Sequence, residues 1–139
     1  MPDNEMVLTF SAISQNEAFA RVAAAAFAAQ LNPTVVEISD MKTAISEAVT
    51  NAIIHGYENK GGMVRLACSI DGRVLTAEVS DEGCGIADIA QAREALYTSK
   101  PEEERSGMGF TVMETFMDMV SVYSESGKGT RIVMKKRFV

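Results

Sequence analysis

Two cysteines and one histidine are all that this 139-residue chain offers of the thiol and imidazole groups that build structural zinc sites and disulfide frameworks. Cys68 and Cys84 lack C-x-x-C spacing, which argues against zinc and against a disulfide-stapled fold, and fits a reducing, cytoplasmic setting. Basic charge is also scarce. With 13 Lys and Arg against 19 Asp and Glu, the net charge of −6 lacks the footprint of a nucleic-acid binder. The one basic cluster, Lys135-Lys136-Arg137, reads as a solvated strand end. No apolar run reaches membrane-span length: Val22–Ala29 is too short and is flanked by Arg21 and Gln30. The acidic start Met1-Pro2-Asp3-Asn4-Glu5 does not resemble a signal peptide. Repeats, low-complexity tails and Pro/Gly/Ser linkers are missing, so the chain reads as a single domain over residues 1–139.

What is present is a well-patterned α+β chain. Met6, Leu8, Phe10 and Ala12 alternate with polar or small partners and predict a first strand, readable as a sheet edge. Ser14 and Glu17 have capping-box spacing and open a helix to about Leu31, stopped by Asn32-Pro33. Thr34 and Glu37 open a second helix, with Ile38, Met41, Ile45, Ala48 and Ala52 on its apolar face and Gly56 as its stop. Val64–Ile70 and Leu75–Val79 form a hairpin across Asp71-Gly72. Residues 82–109 form a long glycine-bearing loop with a short helix around 89–96, which has the character of a functional lid. A third helix runs from Phe110 to about Met119. Val120–Ser124 and Thr130–Arg137 make a last hairpin. The expected architecture is a two-layer sandwich, helices on one face of a mixed, mostly antiparallel sheet.

Three segments carry side chains suited to chemistry. Glu47 and Asn51 lie one helical turn apart, beside the apolar stripe. A carboxylate can take a proton from a hydroxyl or water, and a neutral carboxamide can give oxygen to Mg²⁺. Alone, the pair would simply be a solvated helix side. His55 continues that side as a pocket-rim or helix-end residue. Asp81-x-Gly83-x-Gly85 follows a strand, the glycines permitting close backbone approach and the aspartate able to accept from an exocyclic amino group. Alone, it is an ordinary turn. Gly107-x-Gly109 leads into the third helix, where free N–H groups favour phosphate. No P-loop and no H-R-D or D-F-G triplet is present.

Taken in order, Glu47-x-x-x-Asn51, Asp81-x-Gly83-x-Gly85, Gly107-x-Gly109 and Gly129-Thr130 resemble the GHKL (Bergerat-type) ATP-binding fold shared by gyrase, heat-shock chaperones, histidine kinases and mismatch-repair ATPases. The resemblance spans nearly the whole chain. Ser46–Tyr57, Thr98–Glu102 and Glu104–Phe110 are similar to the anti-sigma factor serine kinases, the sporulation members before the general-stress ones. This likeness implies Glu47 as general base on a substrate serine and Asn51 as the Mg²⁺ ligand on ATP or ADP. Asp81 would hold the adenine amino group, with Gly83, Gly85 and Ile86 shaping the pocket and Thr130 adding a hydroxyl nearby. His55 would lie at the rim. Gly107, Met108, Gly109 and Phe110 would meet phosphates where the lid (about 86–109) ends. Thr98, Ser99, Lys100, Arg105 and Ser106 belong to that lid. Arg105 suits the γ-phosphate, or equally an ion pair with Glu102, Glu103 or Glu104.

The likeness further implies a sigma-F-like factor bound with ATP, a STAS-domain anti-anti-sigma protein as phosphoacceptor, and a homodimer, with no direct nucleic acid or membrane contact. It puts Arg21 on the partner face; alone, Arg21 is a solvated arginine on an amphipathic helix. Rival readings are a nucleotide-gated binding module with negligible transfer, a histidine-kinase catalytic domain and a gyrase-like ATPase. The single histidine argues against the second, and the short chain without a transducer argues against the third.

Overall fold

The computed structural model describes residues 1–86 and 109–139. Its elements are β1 (Asn4–Ser11), α1 (Gln15–Ala28), α2 (Val35–Asn51), β2 (Met63–Asp71), β3 (Val74–Asp81), α3 (Gly109–Phe116), β4 (Met119–Glu125) and β5 (Gly129–Arg137). The strands make one sheet in the order β1-β2-β3-β5-β4. Every ladder among the described residues is antiparallel, so the expected mixed sheet is corrected. β2–β3 and β4–β5 are joined by tight hairpins, which can only run antiparallel, and β1 and β5 lie antiparallel beside β2 and β3. The expected short helix around 89–96 lies outside the described residues.

Strand periodicity builds the core. β2 buries Val64, Leu66, Cys68 and Ile70 on one face, and β3 buries Leu75, Ala77 and Val79. The helices cover that face. Ala20, Ala24 and Ala28 form a buried small-residue stripe on α1, which packs against α2. The α2 stripe holds as expected, with Ala44 and Val49 added and Ile38 only half-buried.

Helix ends divide into one expectation met and two corrected. Thr34 Oγ1 accepts from the Glu37 N–H at 3.1 Å, and Glu37 accepts from the Thr34 N–H at 2.9 Å, the reciprocal capping box. Ser14 makes no side-chain cap: its own backbone is helical (φ −59, ψ −30), the Glu17 N–H donates to its carbonyl, and the Glu17 carboxylate accepts from the Ser46 hydroxyl of α2. The third helix ends at Phe116 rather than Met119. There Lys136 Nζ donates to the Phe116 carbonyl and the Arg137 N–H to Asp118, which turns the chain into β4. The first hairpin's loop is Gly72-Arg73, one residue beyond the expected turn. Gly72, at φ +61, takes the first central position, and Arg73 donates to the carbonyls of Leu31 and Phe138.

Candidate nucleotide site

Asp81 owes its burial to strand parity. It is the fourth inward position of β3 after Leu75, Ala77 and Val79, where a core residue would otherwise stand. It is 8% exposed and pairs across the sheet with Thr130, itself buried at the start of β5. The Gly83 N–H donates to Asp81 Oδ1 at 2.9 Å. Burial holds the Asp81 carboxyl above its usual range, opposed in part by the N–H groups of Gly83 and Thr130.

Glycines pack this corner tightly. A Cβ on Gly56 would lie 2.7 Å from the Asp81 carboxylate, and one on Gly83 would collide with the Gly56 carbonyl. The Cys84 N–H donates to that same carbonyl at 2.8 Å. Gly85 sits against the Glu125 carbonyl at φ +75, a conformation that glycine adopts without cost. The Ile86 N–H donates to Ser124 Oγ at 2.7 Å, and Ser124 Oγ lies 2.8 Å from Thr130 Oγ1. Ser124 thus joins the pocket turn to Thr130, a role no motif signals.

The other half of the site lies along α2. Glu47 and Asn51 are half-buried on one side of the helix, and both face Gly109, the first described residue of α3. A Cβ on Gly109 would stand 3.3 Å from Asn51 Nδ2 and 3.4 Å from Glu47 Oε2. Residues 52–56 then widen into a π turn ending at Gly56, so α2 itself reaches Asp81. Such turns recur at functional sites, and the helical periodicity of the sequence did not reveal this one. His55 lies in the π turn, half-buried, its carbonyl accepting from Cys84 Sγ at 3.0 Å. From Glu47 to Gly56 the axis advances on the order of 13 Å. One helix therefore separates an acid–amide pair from a buried aspartate, with a helix N-terminus beside the pair.

The structure thus brings together Glu47, Asn51 and Gly109, and separately Asp81, Gly83, Gly85, Ile86 and Thr130. Phe110 is buried in the core, which leaves only its backbone for a ligand. Thr98, Ser99, Lys100, Arg105, Ser106, Gly107 and Met108 lie outside the described residues. Arg21 is half-buried on α1, and its Nε stands 3.5 Å from Glu17 Oε2. Neither of those two buried atoms has a hydrogen bond among the described residues.

Mg²⁺ fits Asn51 by donor chemistry: the carboxamide oxygen is a neutral hard ligand, whereas Nδ2, buried without a hydrogen-bond partner among the described residues, is a donor that no cation uses. No cluster of three or more His, Cys, Asp or Glu forms among the described residues. A cation here would be shared between Asn51 and phosphate oxygens.

Residues 10–136 match the histidine kinase-like ATPase domain family. The anti-sigma F factor of Clostridium acetobutylicum is 63% identical over 138 residues, 99% of this chain and 96% of that protein. The anti-sigma F factor of Clostridium kluyveri is 62% identical over 138 residues, 99% of this chain and 97% of that one. Among solved structures, that of the RsbU and RsbW domains of Rv1364c from Mycobacterium tuberculosis superposes with a TM-score of 0.69 at 22% identity. It covers 99% of this chain and 32% of the solved one, and shows the shared fold.

Proposed function

Since the chain belongs to the histidine kinase-like ATPase family and, within it, to the anti-sigma F factors, we propose that it is an ATP-dependent protein serine kinase that also sequesters a sporulation sigma factor. The observation that carries the reading is the meeting of Glu47 and Asn51 at Gly109, with Asp81 at the far end of the same helix. Asp81 accepts from the adenine amino group, and Thr130 and Ser124 lie beside it. The N–H groups at the start of α3 face phosphate. Asn51 would hold Mg²⁺ through its carboxamide oxygen, and the ion would supply charge neutralisation for the triphosphate.

Glu47 takes the proton of the acceptor serine as its hydroxyl oxygen bonds to the γ-phosphorus. The bond from that phosphorus to the bridging oxygen of ADP breaks, and the proton passes from Glu47 to water. Such transfer rests on positioning and electrostatics more than on covalent chemistry, which suits a site built from one base, one amide and backbone donors. The acceptor is a STAS-domain anti-anti-sigma protein. Arg21 contributes to the partner face on α1, where Phe19 and Val22 are 52% and 59% exposed. The unit is a cytoplasmic homodimer of single domains.

The test is co-elution with sigma-F under Mg-ATP, Mg-ADP and no nucleotide. The expected result is a complex strongest with Mg-ATP and retained by Glu47→Ala. Equal binding in all three conditions contradicts the nucleotide-gated reading.

A further inference from the structure

Tyr57 follows the π turn directly. Its hydroxyl donates to the Met63 carbonyl at 2.6 Å and accepts from the Glu82 N–H at 2.8 Å. One oxygen therefore uses both its donor and an acceptor lone pair. Met63 begins β2, and Glu82 is the residue after Asp81. The Tyr57 ring packs on Gly62, where an added Cβ would stand 2.5–2.7 Å from the ring atoms. The turn after Asp81 is thus tied to the end of α2 at two points. One is the Gly56 carbonyl, which accepts from the Cys84 N–H at 2.8 Å. The other is the Tyr57 hydroxyl.

The turn also sets the aspartate. Asp81 Oδ1 accepts from the Gly83 N–H, two residues on, so the carboxylate's orientation depends on where residues 82 and 83 sit. We propose that Tyr57 is a positioning residue of the adenine subsite, its hydroxyl fixing the 82–83 backbone so that Asp81 meets an amino-bearing base and opposes one that presents a carbonyl. The inference rests on the adenine reading of Asp81. A carboxylate held in place gains a hydrogen bond from adenine, whereas against the guanine carbonyl two acceptors face each other. A carboxylate free to shift loses part of that discrimination.

Titration calorimetry of the full chain with ADP and with GDP tests this. Tyr57→Phe keeps the ring on Gly62 and removes only the hydroxyl. It should raise the ADP Kd about tenfold, the worth of one hydrogen bond, while leaving the GDP Kd nearly unchanged. The adenine preference then falls by that factor, and phosphotransfer at saturating ATP stays close to wild type, a KM effect rather than a kcat effect. An ADP Kd within twofold of wild type, or equal losses for ADP and GDP, overturns the proposal.

If the wild type shows no preference for ADP, or Asp81→Asn keeps that preference, the adenine reading itself fails and the inference goes with it. Hydrogen exchange on the nucleotide-free wild type gives a check that no variant's folding can confound. The Glu82 amide, on an exposed residue, should exchange slowly, and exchange at the rate of an open loop overturns the clamp.

Discussion

Asp81 combines a cost and a use in one side chain. Its folded-state proton affinity is raised by burial, so protonation favours the fold. That contribution is full below the ordinary aspartate value of 3.8 and is lost as pH rises through the raised one. Burial thus makes the ionised carboxylate costlier in the fold than in the unfolded chain. The proposed adenine contact uses the ionised form as acceptor. ADP affinity should weaken as pH is lowered through the raised value, read by calorimetry in matched buffers. Asp81→Asn should keep the Gly83 contact and melt at or above the wild-type temperature, yet lose about 100-fold in ADP affinity. A variant that melts lower and binds normally would contradict the assignment.

At the scale of elements, α2 carries both ends of the site, so its own ends matter. The Thr34–Glu37 capping box starts it. Thr34→Ala should cost about 1 kcal/mol in a urea titration while leaving ADP affinity unchanged, because the cap is remote from Glu47 and Asp81. Much of this helix was legible in the sequence. The cap spacing, the apolar stripe and the shared side of Glu47 and Asn51 all follow from a period of 3.6 residues. The widened turn at 52–56 does not, since it depends on Gly56 fitting under Asp81. Ser14 shows the same limit: its backbone is already helical, the Glu17 N–H goes to its carbonyl, and the Glu17 carboxylate is taken by Ser46 of another helix. Ser124 and Tyr57 escaped notice for the same reason, since each acts by linking segments distant in sequence. Asp81 was legible, because strand alternation runs into it and the two glycines follow.

At the scale of the whole molecule, the sheet leaves β1 as an edge with Val7 58% exposed. An eight-residue edge strand is a template for a second copy. Sedimentation should give twice the 15.0 kDa chain mass, and a monomer at micromolar concentration would contradict the homodimer. No helix of the described residues is long and apolar enough to cross a membrane. Arg21 with its apolar neighbours on α1 and the Glu47 side of α2 belong to helices packed against each other. On the proposed reading, a protein acceptor held on α1 would lie near the helix that carries Glu47.

On the proposed reading, Glu47 serves transfer of phosphate to a protein serine. Intact-mass analysis of a STAS-domain anti-anti-sigma protein, incubated with Mg-ATP and this chain, tests it most directly. The account predicts a gain of one phosphoryl group on a serine, at a rate at least about 100-fold lower with Glu47→Ala, although that variant still binds ADP. An unmodified acceptor beside a wild type that binds ADP, or equal modification by the variant, would contradict it.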